Sequence, residues 1–155
     1  MDKFCHSWGM MLSLPGAQGP AENFCSYCSD EKGQLKPKNE IQAGIVPWLQ
    51  KAIEMTASGL REAIRSAEPG MYEYQLEAIL EYIYRREGAS GPAFTCIIGS
   101  GPNSLILHYN SNQRQMQAGD VVAKDVGGEY AGVIVPILHE RIHSIKHGRT
   151  PFQRF

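Results

Sequence analysis

Three sets of side chains in this sequence are of types, and at spacings, that can do chemistry. His139-Glu140-Arg141-Ile142-His143 is a literal H-E-x-x-H, the pattern that places two zinc-binding imidazoles one helical turn apart with a glutamate as general base. With Gly148 as a stop, residues 137–147 would form a short helix carrying His139, His143 and His147 along one side. His139 and His147 would then stand about 12 Å apart at 1.5 Å per residue, too far to share an ion. No third ligand follows, so adventitious zinc or nickel binding is expected there rather than a zincin-like hydrolase using His139, Glu140 and His143. Cys25-Ser26-Tyr27-Cys28, with Cys5 and His6 upstream, offers four further zinc ligands. A second Cys-x-x-Cys is absent and the intervening residues show no ribbon pattern, so free thiols in a loose segment are the expectation.

The third set is Asp125, two residues before Gly127-Gly128, and His108, after Leu105-Ile106-Leu107. Taken alone, an Asp before Gly-Gly is most often a turn residue bonded to its own backbone. A lone His after an apolar run is most often bonded to backbone at a strand end. Gly99-Ser100-Gly101 is glycine-rich, but no Lys-Ser/Thr follows and no helix begins there, so it reads as a turn and not a phosphate cradle.

Around these residues stands an ordered series of motifs. Glu68-Pro69-Gly70-Met71 is followed by Glu77, then Gly91-Pro92-Ala93-Phe94, Gly99-Ser100-Gly101-Pro102-Asn103, Leu107-His108-Tyr109-Asn110, and Gly119-Asp120-Val121-Val122 through Asp125-Val126-Gly127-Gly128-Glu129-Tyr130. The run from Arg61 to Gly132 resembles the pita-bread metallopeptidases of the creatinase and aminopeptidase P type, most closely the Xaa-Pro aminopeptidases. The resemblance implies an α+β domain that removes an N-terminal residue preceding proline from a peptide, using a divalent metal pair, commonly manganese and otherwise cobalt or zinc. It makes Asp125 the first metal-binding Asp, and His108 the substrate-side His that stabilises the tetrahedral intermediate or moves a proton. A homo-oligomer is an implication for the full-length family. The resemblance does not separate aminopeptidases from dipeptidase or creatinase relatives.

A metal pair needs several carboxylates and an imidazole to balance charge and hold a bridging hydroxide. The family follows its Glu-Tyr-x-Gly with an Asp-Ile-Thr-Arg-Thr-x-Pro segment whose Asp bridges both metals; here Pro136 holds that place, and the family's downstream His and two Glu have no counterpart before Phe155. Joining the third base of each codon from Val133 to the first two of the next permits Tyr-Ser-Ala-Asp-Ile-Thr-Arg-Thr-Tyr-Pro. Residues 133–155 therefore read as an out-of-frame tail, and the chain is expected to be inactive as a peptidase. A non-catalytic fragment that binds or assembles with other proteins is the alternative.

The elements that must position these groups follow from periodicity. Leu49, Ile53, Leu60 and Ile64 recur at three- and four-residue steps and predict one helix, stopped by Ser66-Ala67-Glu68-Pro69-Gly70. Leu76, Ile79, Leu80 and Ile83 predict a second, with Glu73 favourable in its first turn and Gly88 as its stop. Residues 93–98, 105–109 and 121–126 read as strands, and Gly127-Gly128 as a hairpin into a fourth, where Pro136 would cost a ladder donor. The fold class is α+β, two helices over a small, mainly antiparallel sheet, which the resemblance makes roughly the first half of a pita-bread fold. Residues 1–40 show no sustained period and are unassigned and poorly ordered; residues 41–132 are the N-terminal half of the catalytic domain.

Composition bounds the rest. The chain has 155 residues, and fifteen Lys and Arg against sixteen Asp and Glu leave a formal charge of -1, so no basic field draws in nucleic acid or an anionic membrane. Four cysteines at this length make no disulfide scaffold, and no apolar run approaches the ~20 residues of a membrane span. A soluble, cytoplasmic protein is expected.

Overall fold

The second of the two expected helices shows how this chain folds. In the computed structural model, which describes residues 3–13 and 15–130 and the backbone of 133–142, it runs Glu73–Arg86. Leu76, Leu80 and Ile83 are buried along one stripe with Tyr84, each aliphatic side chain contributing roughly 1.5–3 kcal/mol by leaving water. The Tyr72 N–H donates to Gln75 Oε1 at 2.7 Å to close the start, and Gly88, at φ +96°, lets the chain leave in a left-handed turn.

In chain order the elements are α1 (Lys38–Ser66), α2 (Glu73–Arg86), β1 (Gly91–Pro92), β2 (Ile97–Ser100), a 3-10 helix (Gly101–Leu105), β3 (Val122–Tyr130) and β4 (Val133–Ile142). They fall into two units, Met1–Lys51 with Tyr130–Val133, and Ala52–Glu129 with Ile134–Phe155. No helix among the described residues is long and apolar enough to cross a membrane.

In the second unit β3 is the spine of the sheet. It pairs antiparallel with β2, with Ile97 opposite Asp125 and Ser100 opposite Val122, and with β1, with Gly91 opposite Glu129; β4 also pairs with it. Val122, Lys124 and Val126 are buried while Ala123 and Asp125 are half-buried, the period-two alternation of a strand. Two helices over a small antiparallel sheet give the α+β class expected from sequence.

Several expectations need correction. The period of α1 was right but its phase was not: Leu49, Ile53 and Ile64 are exposed, and the buried face is Ala52, Met55, Thr56, Leu60 and Ala63. The reason is close approach. A Cβ on Gly59 would stand 2.7 Å from the Tyr84 ring, and one on Gly128 would stand 2.6 Å from Met55 Cε, so small residues face inward where helix and strand meet. Thr56 Oγ1 donates to the Ala52 carbonyl at 2.8 Å and accepts the Gly128 N–H at 3.2 Å. The helix also starts earlier than the Leu49 to Ile64 stripe implies, at Lys38, and runs through Pro47.

Gly127-Gly128 is no hairpin turn; β3 passes straight through it, and at Gly128 the missing side chain is what lets Met55 and Tyr84 approach. Leu105–Tyr109 is no strand. Gly101, at φ +52°, and Pro102 start a 3-10 turn closed by Ser104 Oγ donating to the Gly101 carbonyl at 2.7 Å, which leaves Leu105, Ile106 and Leu107 exposed. Pro136 lies within β4, which among the described residues pairs with β3 alone, the edge setting in which proline is tolerated.

Among its described residues the first unit has no helix and no named strand before Lys38. Its described residues form three isolated antiparallel bridges, Phe4 to Met11, Gln18 to Cys25 and Ser29 to Leu35. Inside them Cys5, Met10, Leu12, Ala17, Cys25, Cys28 and Ile45 are buried, with Trp8, Phe24, Ile41 and Trp48 packed against them. Such an arrangement has no periodicity to find, since each residue is placed by a different turn.

Gly99 on β2 gives a test of the packing. A Cβ there would lie 2.6 Å from the Asn103 carbonyl oxygen and 2.9 Å from its carbon, backbone atoms that cannot swing aside. Gly99→Ala should lower the urea unfolding free energy by about 1–3 kcal/mol; an unchanged midpoint and slope would show that the 3-10 helix is free to shift.

Candidate functional site

The polar centre of the second unit is Glu73, fully buried in the first turn of α2. Its Oε1 accepts the Ser100 N–H and the Ser100 hydroxyl, both at 2.7 Å, and the Asn103 amide at 3.3 Å. Its Oε2 accepts the Tyr109 hydroxyl at 2.8 Å and the Arg114 N–H at 2.9 Å. Burial pushes the Glu73 carboxyl up, but the bonds from Ser100, Arg114 and Tyr109 together outweigh it and hold the group below its ordinary value of 4.5. Arg114 Nη1 in turn donates to Ser100 Oγ at 2.8 Å and pairs with Asp120. Glu73 was legible in the sequence only as a carboxylate suited to a helix start; its partners lie 27 to 41 residues away.

Asn112 makes a second junction. It is buried at φ +48°, accepts the Ile98 N–H at 3.0 Å, and donates to Glu77 Oε2 at 2.9 Å and to the Cys96 carbonyl at 2.8 Å. Nothing in the sequence singles it out beyond its place in an Asn-rich loop.

These junctions place the two residues that the resemblance selects. Asp125 lies on β3 opposite Ile97, half-buried, and its Oδ1 is buried with no hydrogen-bond partner. It is not a turn residue. The Cys96 thiol, pushed up to about 12 by burial and then by the negative charge of Glu77, Glu81 and Asp125, marks the acidic character of this neighbourhood. His108 stands exposed in the turn after the 3-10 helix, at φ +55°. Among the described residues, no group of three His, Cys, Asp or Glu donors gathers about Asp125.

The H-E-x-x-H residues fare differently. His139 and Glu140 lie on β4, and His143 lies outside the described residues. The one-turn relation between residues 139 and 143 belongs to a helix, and the backbone through Ile142 is extended. The expected helix over residues 137–147 is therefore absent up to that point.

The cysteines of the first unit do come together. Cys5, Cys25 and Cys28 are all buried, with their sulfurs within 4.8 Å of one another. Cys25 and Cys28 sulfurs are 3.5 Å apart, and Cys5 and Cys28 sulfurs 3.8 Å apart. The Trp8 indole N–H donates to Cys25 Sγ at 3.3 Å. Burial, with the neighbouring Cys25, pushes the Cys28 thiol up to about 12. His6, the fourth ligand suggested by sequence, is exposed and packs edge-on against Phe24 at 5.9 Å between ring centroids.

Residues 48–138 match the model of metallopeptidase family M24. Among curated proteins, an Xaa-Pro aminopeptidase of Escherichia coli is 43% identical over 84 residues, 54% of this chain and 19% of the relative. The human Xaa-Pro dipeptidase is 37% identical over 98 residues, 60% of this chain and 19% of the relative. The chain thus spans about a fifth of the length of these relatives. Among solved structures, zinc-substituted aminopeptidase P of Escherichia coli, in complex with product, superposes with a TM-score of 0.61 at 38% identity, covering 63% of this chain and 22% of that one. Proline aminopeptidase P II of Yersinia pestis gives 0.63 at 37%, covering 65% and 23%.

The Glu73 junction makes a stability prediction with a sign. Its folded-state carboxyl is depressed, so its contribution is fully present above the ordinary value of 4.5 and is lost as pH falls through the lower folded value. Glu73→Gln, which turns an acceptor into a donor facing Tyr109 and Arg114, should cost about 2–3 kcal/mol near neutrality. It should also flatten the acid limb of the unfolding midpoint against pH. A variant whose acid limb matches the parent's would show that Glu73 is not the titrating group.

Proposed function

The chain belongs to metallopeptidase family M24, and from that premise we propose that its second unit supplies one side of an Xaa-Pro peptidase site, with Asp125 as a metal ligand and His108 as the side chain that steadies the tetrahedral intermediate or moves its proton. The substrate is a peptide with proline in second position, and aminopeptidase action is favoured over dipeptidase action by the Gly99–Tyr109 and Gly119–Tyr130 motifs. The observation that carries this reading is the buried, unpaired Oδ1 of Asp125 within the matched segment. A carboxylate oxygen taken out of water with no donor costs about 1–3 kcal/mol, a penalty that a bound cation offsets.

A divalent metal pair, manganese first and cobalt or zinc behind it, would activate water for the hydrolysis. The described residues fit one arm of such a pair and no more. Among the described residues no group of three donors includes Asp125, and Pro136 occupies the place of the bridging Asp. A single carboxylate cannot balance two dications or hold a bridging hydroxide, so the chain as it stands is inactive. The out-of-phase reading from Val133, which returns Asp at position 136, makes a shifted frame the source of the loss.

Two measurements test this. Incubating the purified chain with manganese and a peptide carrying proline second should release no N-terminal residue; turnover that disappears in Asp125→Asn would overturn the inactivity while keeping the site. Resequencing the gene from codon 125 onward should reveal an added or missing base near codons 132 and 133, restoring Asp-Ile-Thr-Arg-Thr. A frame confirmed as written would sink the shifted-frame reading.

A further inference from the structure

The first unit holds three buried thiols that the peptidase reading does not use. We propose that Cys5, Cys25 and Cys28 form a divalent-metal site of the zinc class, three thiolates filling three corners of a tetrahedron and the fourth corner, on the side of Trp8, left to water or an added ligand.

The distances carry the argument. Metal–sulfur bonds of about 2.3 Å in a tetrahedron put the sulfurs about 3.8 Å apart. The two separations here are 3.5 and 3.8 Å, far longer than the ~2.05 Å of a disulfide. Two turns distant in the chain bring the three thiols to that spacing, one carrying Cys5 and the other carrying both Cys25 and Cys28. Cys5 follows the bridging residue Phe4, Cys25 is itself bridged to Gln18, and Cys28 precedes Ser29, bridged to Leu35. The turns are tight: the Gly9 N–H donates to the Cys5 carbonyl at 2.8 Å, with Gly9 at φ +84°, and the Cys28 and Ser29 N–H groups both donate to the Cys25 carbonyl, at 2.9 and 3.1 Å.

The hydrophobic content of residues 3–37 agrees. Among the described residues no helix or continuous strand precedes Lys38, so the apolar cluster of Met10, Leu12 and Ala17 with Trp8 and Phe24 is small, and modules of this size generally rely on a metal or disulfides. All four cysteines of the chain are free. Binding exchanges three S–H bonds for three sulfur–metal bonds and releases the three protons to solvent. The Trp8 N–H donated to Cys25 Sγ is the kind of outer contact that steadies a ligating thiolate.

Trp8 also locates the open corner. It follows Cys5 by three residues, as Cys28 follows Cys25, so the first turn repeats the second with an indole where the second has a thiol. The site is independent of the peptidase reading and involves none of its residues.

Cobalt(II) reports on it directly in the full-length reduced chain. One equivalent should give the near-ultraviolet thiolate-to-cobalt charge-transfer band, displaced by zinc, and Cys28→Ser should weaken or abolish it. Asp125→Asn should leave it unchanged, which separates this site from the other. Trp8→Cys should bind cobalt at least about tenfold more tightly and raise the band by about a third as three thiolates become four. A parent chain with no such band, or an undiminished band in Cys28→Ser, overturns the site. A Trp8→Cys chain that binds no more tightly overturns the position of the open corner.

Discussion

A single buried charge organises the second unit. Glu73 is taken wholly out of water, which on its own would be strongly unfavourable, and it remains ionised because five hydrogen bonds from Ser100, Asn103, Tyr109 and Arg114 converge on its two oxygens. The arrangement is reciprocal. The Arg114 carbonyl accepts the Glu73 N–H at 3.0 Å and the Asn112 carbonyl accepts the Tyr74 N–H at 2.8 Å, so the loop that feeds the carboxylate also satisfies the open end of the helix. Its negative charge sits at the positive end of the α2 dipole. The end of β2, the 3-10 helix and the loop returning to β3 all hang on this junction, and the register that sets Asp125 opposite Ile97 hangs on them.

The legible parts of this fold were those written locally. The α2 stripe of Leu76, Leu80 and Ile83 needed only its own spacing, and β3 needed only the run from Val122 to Val126. What could not be read depends on partners distant in the chain. Glu73 looks like any acidic helix start until Ser100 and Arg114 fold onto it. Gly127-Gly128 has the composition of a turn, and only the Tyr84 ring and the Met55 side chain against it make it a point of close approach. The same contact inverts α1, whose large residues Leu49, Ile53 and Ile64 face out while Ala52 and Ala63 face in. At Leu105-Ile106-Leu107 a strand-like composition lost to the preceding Gly-Pro, which started a tighter turn.

The two candidate metal centres differ in how complete they are. Resemblance selects Asp125, and among the described residues its surroundings supply an unsatisfied oxygen but no group of three donors. The cysteines lack a second Cys-x-x-Cys, and the structure assembles three of them regardless. Motif completeness along the chain is a poor guide when turns, and not spacing within one element, bring ligands together. The count of donors converging in space is the better one, and by it the stronger centre lies outside the matched residues 48–138.

The placement of aromatic residues carries an optical consequence. Both tryptophans of the chain, Trp8 and Trp48, pack against the cysteine-lined core of the first unit, whereas the rings of the Glu73 unit are tyrosines and phenylalanine. Emission excited selectively at indole therefore observes the first unit alone, and Trp8, against Cys25 Sγ, sits where a thiolate or an open-shell ion quenches it. Tyrosine emission and far-ultraviolet dichroism report on both units, since Tyr27, Tyr130 and the start of α1 belong to the first. The chain thus comes with one spectroscopic channel confined to the first unit, with no label to add.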